Sequence, residues 1–219
     1  MNLRSIKSSE DTSDLYYRFY QPWTLIKLLS MFRLYNFNES FLNNSLRNIC
    51  EKVILLLEKP HGSNKPHHLN MKFAILFEFI SMCLKTSSSH YIRKVVTILT
   101  EPFERDEPNL KGLALSCIGK ILKSEHTCDI LPNFCMKIIN ILKNEKSIHV
   151  RRIAFNICYS ICDQLTVEEI VPEMIDFVAC CPFLEQQDPA LKITLLAEKF
   201  LVSSNWYVDS IVKLLMTCG

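Results

Sequence analysis

The sequence predicts an all-α protein, a right-handed solenoid of about five antiparallel helix pairs. Three observations predict it. Only 4 glycines occur among 219 residues, too few for tight-turned sheets, while 48% of residues are hydrophobic, enough for a sizeable core. Apolar residues recur at helical spacing in run after run. Two separate marks then return with one period. An apolar residue followed by a basic one stands at Met71-Lys72, Leu110-Lys111, Val150-Arg151 and Leu191-Lys192, with steps of 39, 40 and 41 residues. The stretch Asp129-Ile130-Leu131-Pro132 recurs as Glu169-Ile170-Val171-Pro172, 40 positions on. A step of this length is that of a helical repeat, and one such pair cannot bury its apolar faces alone.

The clearest unit runs from Leu131 to Ala154. Phe134, Ile138, Ile141 and Leu142 share one helix face, and Ile153, Ala154, Ile157, Cys158 and Ile161 share another. The charged turn at Lys143–Lys146 is so short that the two helices must lie antiparallel and side by side.

Taken in order, Met1–Tyr20 is a polar lead ending in Tyr16, Tyr17, Phe19 and Tyr20. The mostly apolar sequence that follows suggests a piece of a longer protein. Pro22 suits a first helical position, where its missing N–H is not needed, and the helix runs to about Asn36. Asn38 can cap a second helix to about Glu58. Pro60–His68, with two prolines and a glycine, reads as a loop. Helices are then expected at Leu69–Lys85 and Ser89–Glu101, at Glu107–Lys123 and Thr127–Lys143, and at Ser147–Cys162 and Thr166–Cys180. Thr166 and Glu169 have the spacing of a capping box. Asp188, followed by Pro189, is the expected cap of a helix to about Val202, and Asn205–Thr217 closes the series. The expected pairs are therefore 22–58, 69–101, 107–143, 147–180 and 188–217 of a single segment 1–219. Gly112 and Gly119, seven apart, are expected to let helices approach closely, and Pro132 and Pro172 to bend or delay first turns.

Several functions are disfavoured by composition. A net charge of +2 does not argue for nucleic acid. The 10 cysteines are spread along apolar helix faces and read as reduced core thiols of a cytosolic chain. The first residues lack the apolar core of a signal peptide, and no uncharged run reaches membrane-spanning length. No phosphate loop, nucleophile elbow or H-E-x-x-H appears, so neither catalysis nor a cofactor is expected. His61, His67 and His68 have no cysteine or carboxylate beside them in their loop, and Cys158 and Cys162, one turn apart, have no partner histidine nearby.

The repeated cation carries more information. Lys27, Lys72, Lys111, Arg151 and Lys192 would form a ladder along the stack. Such a ladder would either receive an anionic lipid or acidic peptide, or tie each helix to a carboxylate or free carbonyl of its neighbour. One cation per repeat at a fixed helical place favours the second reading. A looser basic cluster, Lys137, Lys143, Lys146, His149, Arg151 and Arg152, surrounds one turn; its Lys143, Lys146, Arg151 and Arg152 are the candidate anion or phosphoinositide contact.

The Leu-Pro helix, short turn and Val-Arg-x-x-Ala of residues 131–154 resemble a HEAT repeat. Four longer stretches are similar to the trunk of large adaptin subunits. They are QPWTLIKLLSMFRLY (21–35), through Pro22, Trp23, Lys27, Leu28 and Leu29; AILFEFIS (74–81), with Glu78; the stretch from Val150 to Val178; and LLAEKFLVSSNWYVDSIVKLL (195–215). In the last, Ala197, Glu198, Lys199, Trp206, Tyr207, Val208 and Asp209 match, and the Trp206 ring is either a core residue or an exposed, partner-facing one. Phe77-Glu78-Phe79-Ile80-Ser81, Cys162-Asp163 and Trp206-Tyr207-Val208-Asp209 resemble the alpha type more than the gamma type. The resemblance implies a non-enzymatic trunk segment of the alpha-like large chain of adaptor protein complex 2, in clathrin-mediated endocytosis. It implies as partners a small sigma subunit, a medium mu subunit and a beta-type large chain, with peripheral placement on coated membranes and clathrin reached indirectly. A gamma-like adaptin of the trans-Golgi and endosomes, or a HEAT-type peptide-binding transport receptor, is the alternative.

Overall fold

A computed structural model describes residues 15–16, 19–34, 45–58, 66–86, 89–124 and 131–218. A two-residue antiparallel ladder, β1 (Leu15–Tyr16) with β2 (Phe19–Tyr20), precedes the helices and was not expected from the sequence. The remainder is helical: α1 (Pro22–Leu34), α2 (Ser45–Glu58), α3 (Pro66–Lys85), α4 (Ser89–Val95), α5 (Pro108–Leu122), α6 (Leu131–Asn144), α7 (Ile148–Ile161), α8 (Val167–Ala179), α9 (Gln187–Phe200) and α10 (Ser204–Cys218). Stacked helices of this kind form an α-solenoid. The expected cap Asn38, most of the 60–68 loop and the start expected at Thr127 lie outside the described residues.

The chain divides into two compact units, residues 1–101 and 102–219. In the first, α3 is the central element. Phe73, Ile75, Leu76, Phe79, Ile80, Met82 and Cys83 are buried, so most of its circumference is apolar, as a helix packed by neighbours on several sides requires. Helix α1 lies along α3, with Leu29 fully buried, and α4 packs against both α2 and α3. Two expectations change here. Pro66, His67 and His68 belong to the first turn of α3 instead of the loop, and His68 is buried. Proline is tolerated there because first-turn N–H groups have no helical partner. The helix expected over 89–101 also tightens after Val95 into a 3₁₀ stretch, Val96–Glu104. Pro102 lies inside it, and a proline can neither donate to nor clear the carbonyl four residues back.

In the second unit the odd helices α5, α7 and α9 lie side by side, as do the even helices α6, α8 and α10. Phe155 of α7 and Phe177 of α8 join the two layers, with ring centroids 5.1 Å apart. The capping box expected at Thr166 is not formed. The Asp163 carboxylate accepts hydrogen bonds from the N–H groups of Leu165 and Thr166 and from the Thr166 hydroxyl, at 3.0, 2.9 and 2.7 Å. Thr166 Oγ1 in turn accepts from Asp163 N at 3.1 Å, so it makes no side-chain cap to α8. Asp188 is also not the cap of α9. That helix starts at Gln187, and Asp188 sits in its first turn, accepting from Lys192 Nζ at 2.6 Å. Ahead of α10, Ser203 provides the cap instead, its Oγ accepting from Trp206 N at 3.1 Å.

Pro172 lies well inside α8, which continues through it to Ala179, and Pro132 is the second residue of α6. The glycines also behave differently from expectation. A methyl at Gly112 would meet Ile153 Cδ1 at 3.5 Å, and one at Gly119 would meet Ile157 Cγ1 at 3.4 Å. Both are ordinary van der Waals contacts, so α5 and α7 do not need glycine in order to pack.

Candidate functional site

Each ladder cation begins in the first half of its helix, and the structure shows where its charge goes. Lys72 Nζ reaches Glu101 Oε2 at 2.7 Å. One period on, Lys111 Nζ reaches Glu145 Oε2 at 2.5 Å, in the turn between α6 and α7. Burial, the largest single influence, pushes the Glu145 carboxyl up. The Lys111 hydrogen bond, with the N–H groups of Ser147 and Lys146 at 3.4 and 3.0 Å, outweighs it and holds the group below the ordinary carboxylate value. Arg151 does not repeat this pairing. Its Nε donates to Leu142 O at 2.7 Å, and its guanidinium lies 5.4 Å from the centroid of the Phe177 ring. It satisfies one of the last carbonyls of α6, a group with no partner inside its own helix. Lys192 donates to Asn156 Oδ1 at 3.0 Å and to Asp188. Lys27 is exposed and makes no ion pair among the described residues.

The candidate anion contact is mostly committed to protein groups as well. Lys143 Nζ donates to Glu173 at 2.8 Å, and that hydrogen bond, then the charge itself, raises its ammonium above the ordinary value. Arg152 pairs with Glu185, and Arg151 is held as described. Lys146, Lys137 and His149 are exposed. The structure therefore brings Lys143, Arg151 and Arg152 to acids and carbonyls, and does not gather the four cations around an open position.

The acids that complete this arrangement escaped the sequence reading, although a signal was there. Glu145 and Glu185 stand 40 positions apart, on the same period as the cations. A second row, missed altogether, links the even helices: Lys143 to Glu173 at 2.8 Å, and Lys213 of α10 to Asp176 of α8 at 2.9 Å.

The cysteines lie mainly in the core. Of those described, Cys50, Cys83, Cys117, Cys158, Cys162 and Cys181 are buried and Cys180 is exposed. Burial pushes the thiols of Cys50 and Cys162 up to about 11, that of Cys158 up to about 12, and that of Cys83 higher still. Such thiols carry almost no thiolate at neutral pH. Among the described residues no group of three or more His, Cys, Asp or Glu is placed to hold a metal ion. No helix among them is long and apolar enough to cross a membrane.

The positions singled out by resemblance fall in several environments. Pro22 is buried at the start of α1, whereas Trp23 is exposed. Glu78 Oε1 lies 3.4 Å from Arg33 Nε, linking α3 to α1. Ala197 is fully buried, Glu198 is exposed, and Lys199 Nζ lies 4.8 Å from the centroid of the Phe200 ring. Trp206 is half-buried and not a core residue, because it stands in the first turn of α10, beside its cap. Tyr207 is half-buried and Asp209 exposed.

With the helices and their ties described, the chain can be set beside known proteins. The sequence profile of the adaptin N-terminal region matches residues 11–219. The chain belongs to that family. Among curated adaptor proteins it is 26% identical over 206 residues to AP-2 complex subunit alpha-1 of Arabidopsis thaliana, covering 93% of this chain and 20% of that protein. It is 24% identical over 206 residues to AP-2 complex subunit alpha-2 of Dictyostelium discoideum, covering 94% and 21%. Against AP-2 complex subunit alpha of Schizosaccharomyces pombe the figures are 25% over 207 residues, 94% and 23%. This adaptin chain is thus alpha-adaptin-like, and it spans about a fifth of the length of these relatives.

Proposed function

We propose that this chain is a non-enzymatic trunk segment of an alpha-type adaptin, one that holds other adaptor subunits in place during clathrin-mediated endocytosis. The observation that carries this reading is the adaptin match across residues 11–219, to a chain whose repeats are tied to one another by their own charges. A scaffold needs fixed angles between successive helix pairs. The tie of Lys111 to Glu145 and of Arg151 to the end of α6 supplies that at the turns. On this reading the ladder of Lys72, Lys111, Arg151 and Lys192 is structural, not a lipid or peptide contact. The partners are a small sigma subunit, a medium mu subunit and a beta-type large chain. Location at coated membranes follows from the assembled complex.

The test is to tag the parent protein in its own cells and identify what co-purifies. Recovery of the three other adaptor chains, with clathrin, is the expected result. Recovery of a nuclear-transport or translation assembly instead would keep the fold and overturn the function.

A further inference from the structure

A groove of about 480 Å³ opens between the C-terminal halves of α5 and α7 and reaches α9. Its apolar lining is formed by Leu122, Ile153 and Tyr159, which are half-exposed, above the buried Leu115 and Ile157, and Gly119 stands beside them. Three lysines, Lys120, Lys123 and Lys192, line it, and among the described residues no carboxylate does. Lys192 is shared with Asn156 and Asp188. Lys120 and Lys123 are exposed and make no ion pair among the described residues. Such spare cations contrast with Lys111, Lys143, Arg151 and Arg152, each of which has a protein partner. In the groove these lysines stand beside the half-exposed apolar side chains of Leu122, Ile153 and Tyr159.

We propose that this groove is a docking site for a linear acidic peptide carrying one large apolar side chain. The apolar side chain enters between α5 and α7, against Leu122, Ile153 and Tyr159, while flanking carboxylates meet Lys120 and Lys123. Charge complementarity selects the acidic partner, since the charged side chains among the described lining residues are all lysines. The apolar floor selects a peptide over a bare phosphorylated headgroup, which would leave that floor unmatched. This surface lies apart from the ties that fix the turns, so the inference does not depend on which adaptor subunits the parent protein joins.

The test uses the 219-residue chain and a fluorescein-labelled peptide of alternating Asp and Glu around one central Trp, read by fluorescence anisotropy. Binding is expected, weakening several-fold when salt is raised well above physiological strength. The double variant Lys120→Glu/Lys123→Glu is expected to weaken binding about tenfold or more. Ser160→Trp, an exposed groove position, fills the space without touching the cations. It is expected to cause a similar loss with unchanged circular dichroism and melting. Replacing the peptide's Trp by Ser should weaken binding by a comparable factor. No binding of the peptide overturns the proposal. So does binding that ignores both protein variants, or that survives loss of the Trp. Tight binding of inositol hexakisphosphate at Lys120 and Lys123, with no peptide bound, overturns it in favour of a phosphate ligand.

Discussion

Two corners of the second unit, one repeat apart, solve the same problem differently. At the turn after α6, Lys111 and Glu145 form a close pair whose side chains are only 13% and 6% exposed. At the turn after α8, the corresponding acid, Glu185, is met by Arg152, with side chains 44% and 48% exposed. Arg151, which occupies the place of Lys111, has turned back to the Leu142 carbonyl and the Phe177 ring. A guanidinium can do this because its planar fork bonds a carbonyl at its edge and stacks on a ring at its face, whereas an ammonium is a point charge. Equal position in a repeat therefore does not mean equal partner. The energetic weight follows burial: the first corner holds both the nearly buried ion pair and the Arg151 hydrogen bond to Leu142 O, and the second is left with an exposed ion pair.

The largest effect expected from this contrast is at Lys111. Lys111→Met leaves Glu145 nearly buried without its cation and should cost about 2–3 kcal/mol in equilibrium urea unfolding, somewhat less than a fully buried pair. A cost below about 0.5 kcal/mol would show that the two corners are energetically alike. Next, Arg151→Ala removes both the bond to Leu142 O and the contact with Phe177, and should cost about 1.5–2.5 kcal/mol. Arg151→Lys should recover only part of that, because lysine lacks the fork.

Acid is the third probe. The folded Glu145 carboxyl lies below its unfolded value, so its contribution is complete above about pH 4.3 and is lost as pH falls through the folded pKa. Melting temperature should therefore drop more steeply below that pH in the natural chain than in Lys111→Met. Parallel curves would remove Glu145 from the account. The smallest effect is expected at Arg152→Ala, within about 0.5 kcal/mol, as for other exposed ion pairs. A larger loss there would mean that Glu185 takes part in ordering the turn before α9.

Much of this was readable in advance. The period of the cations and the apolar faces of α5 to α10 are local patterns, and a helix face needs only spacing to be seen. What was misread depends on competition between neighbours. Thr166 has the spacing of a cap, but Asp163 engages its hydroxyl first. Gly112 and Gly119 have the spacing of a close helix contact, yet Ile153 and Ile157 leave room for a methyl. Trp206 matches the family pattern, and its place beside the cap keeps it half-exposed.

By itself, the sequence determined the repeat, because a 40-residue step and helical spacing lie along the chain and require no knowledge of what packs against what. The tertiary structure alone decided which charge meets which group. Partners such as Lys111 and Glu145 are 34 residues apart, and their meeting depends on how two helices and a turn pack. It likewise decided which cations remain free to meet something else. Lys120 and Lys123 look no different in sequence from Lys111 and Lys143, and only the positions of the acids separate the two kinds.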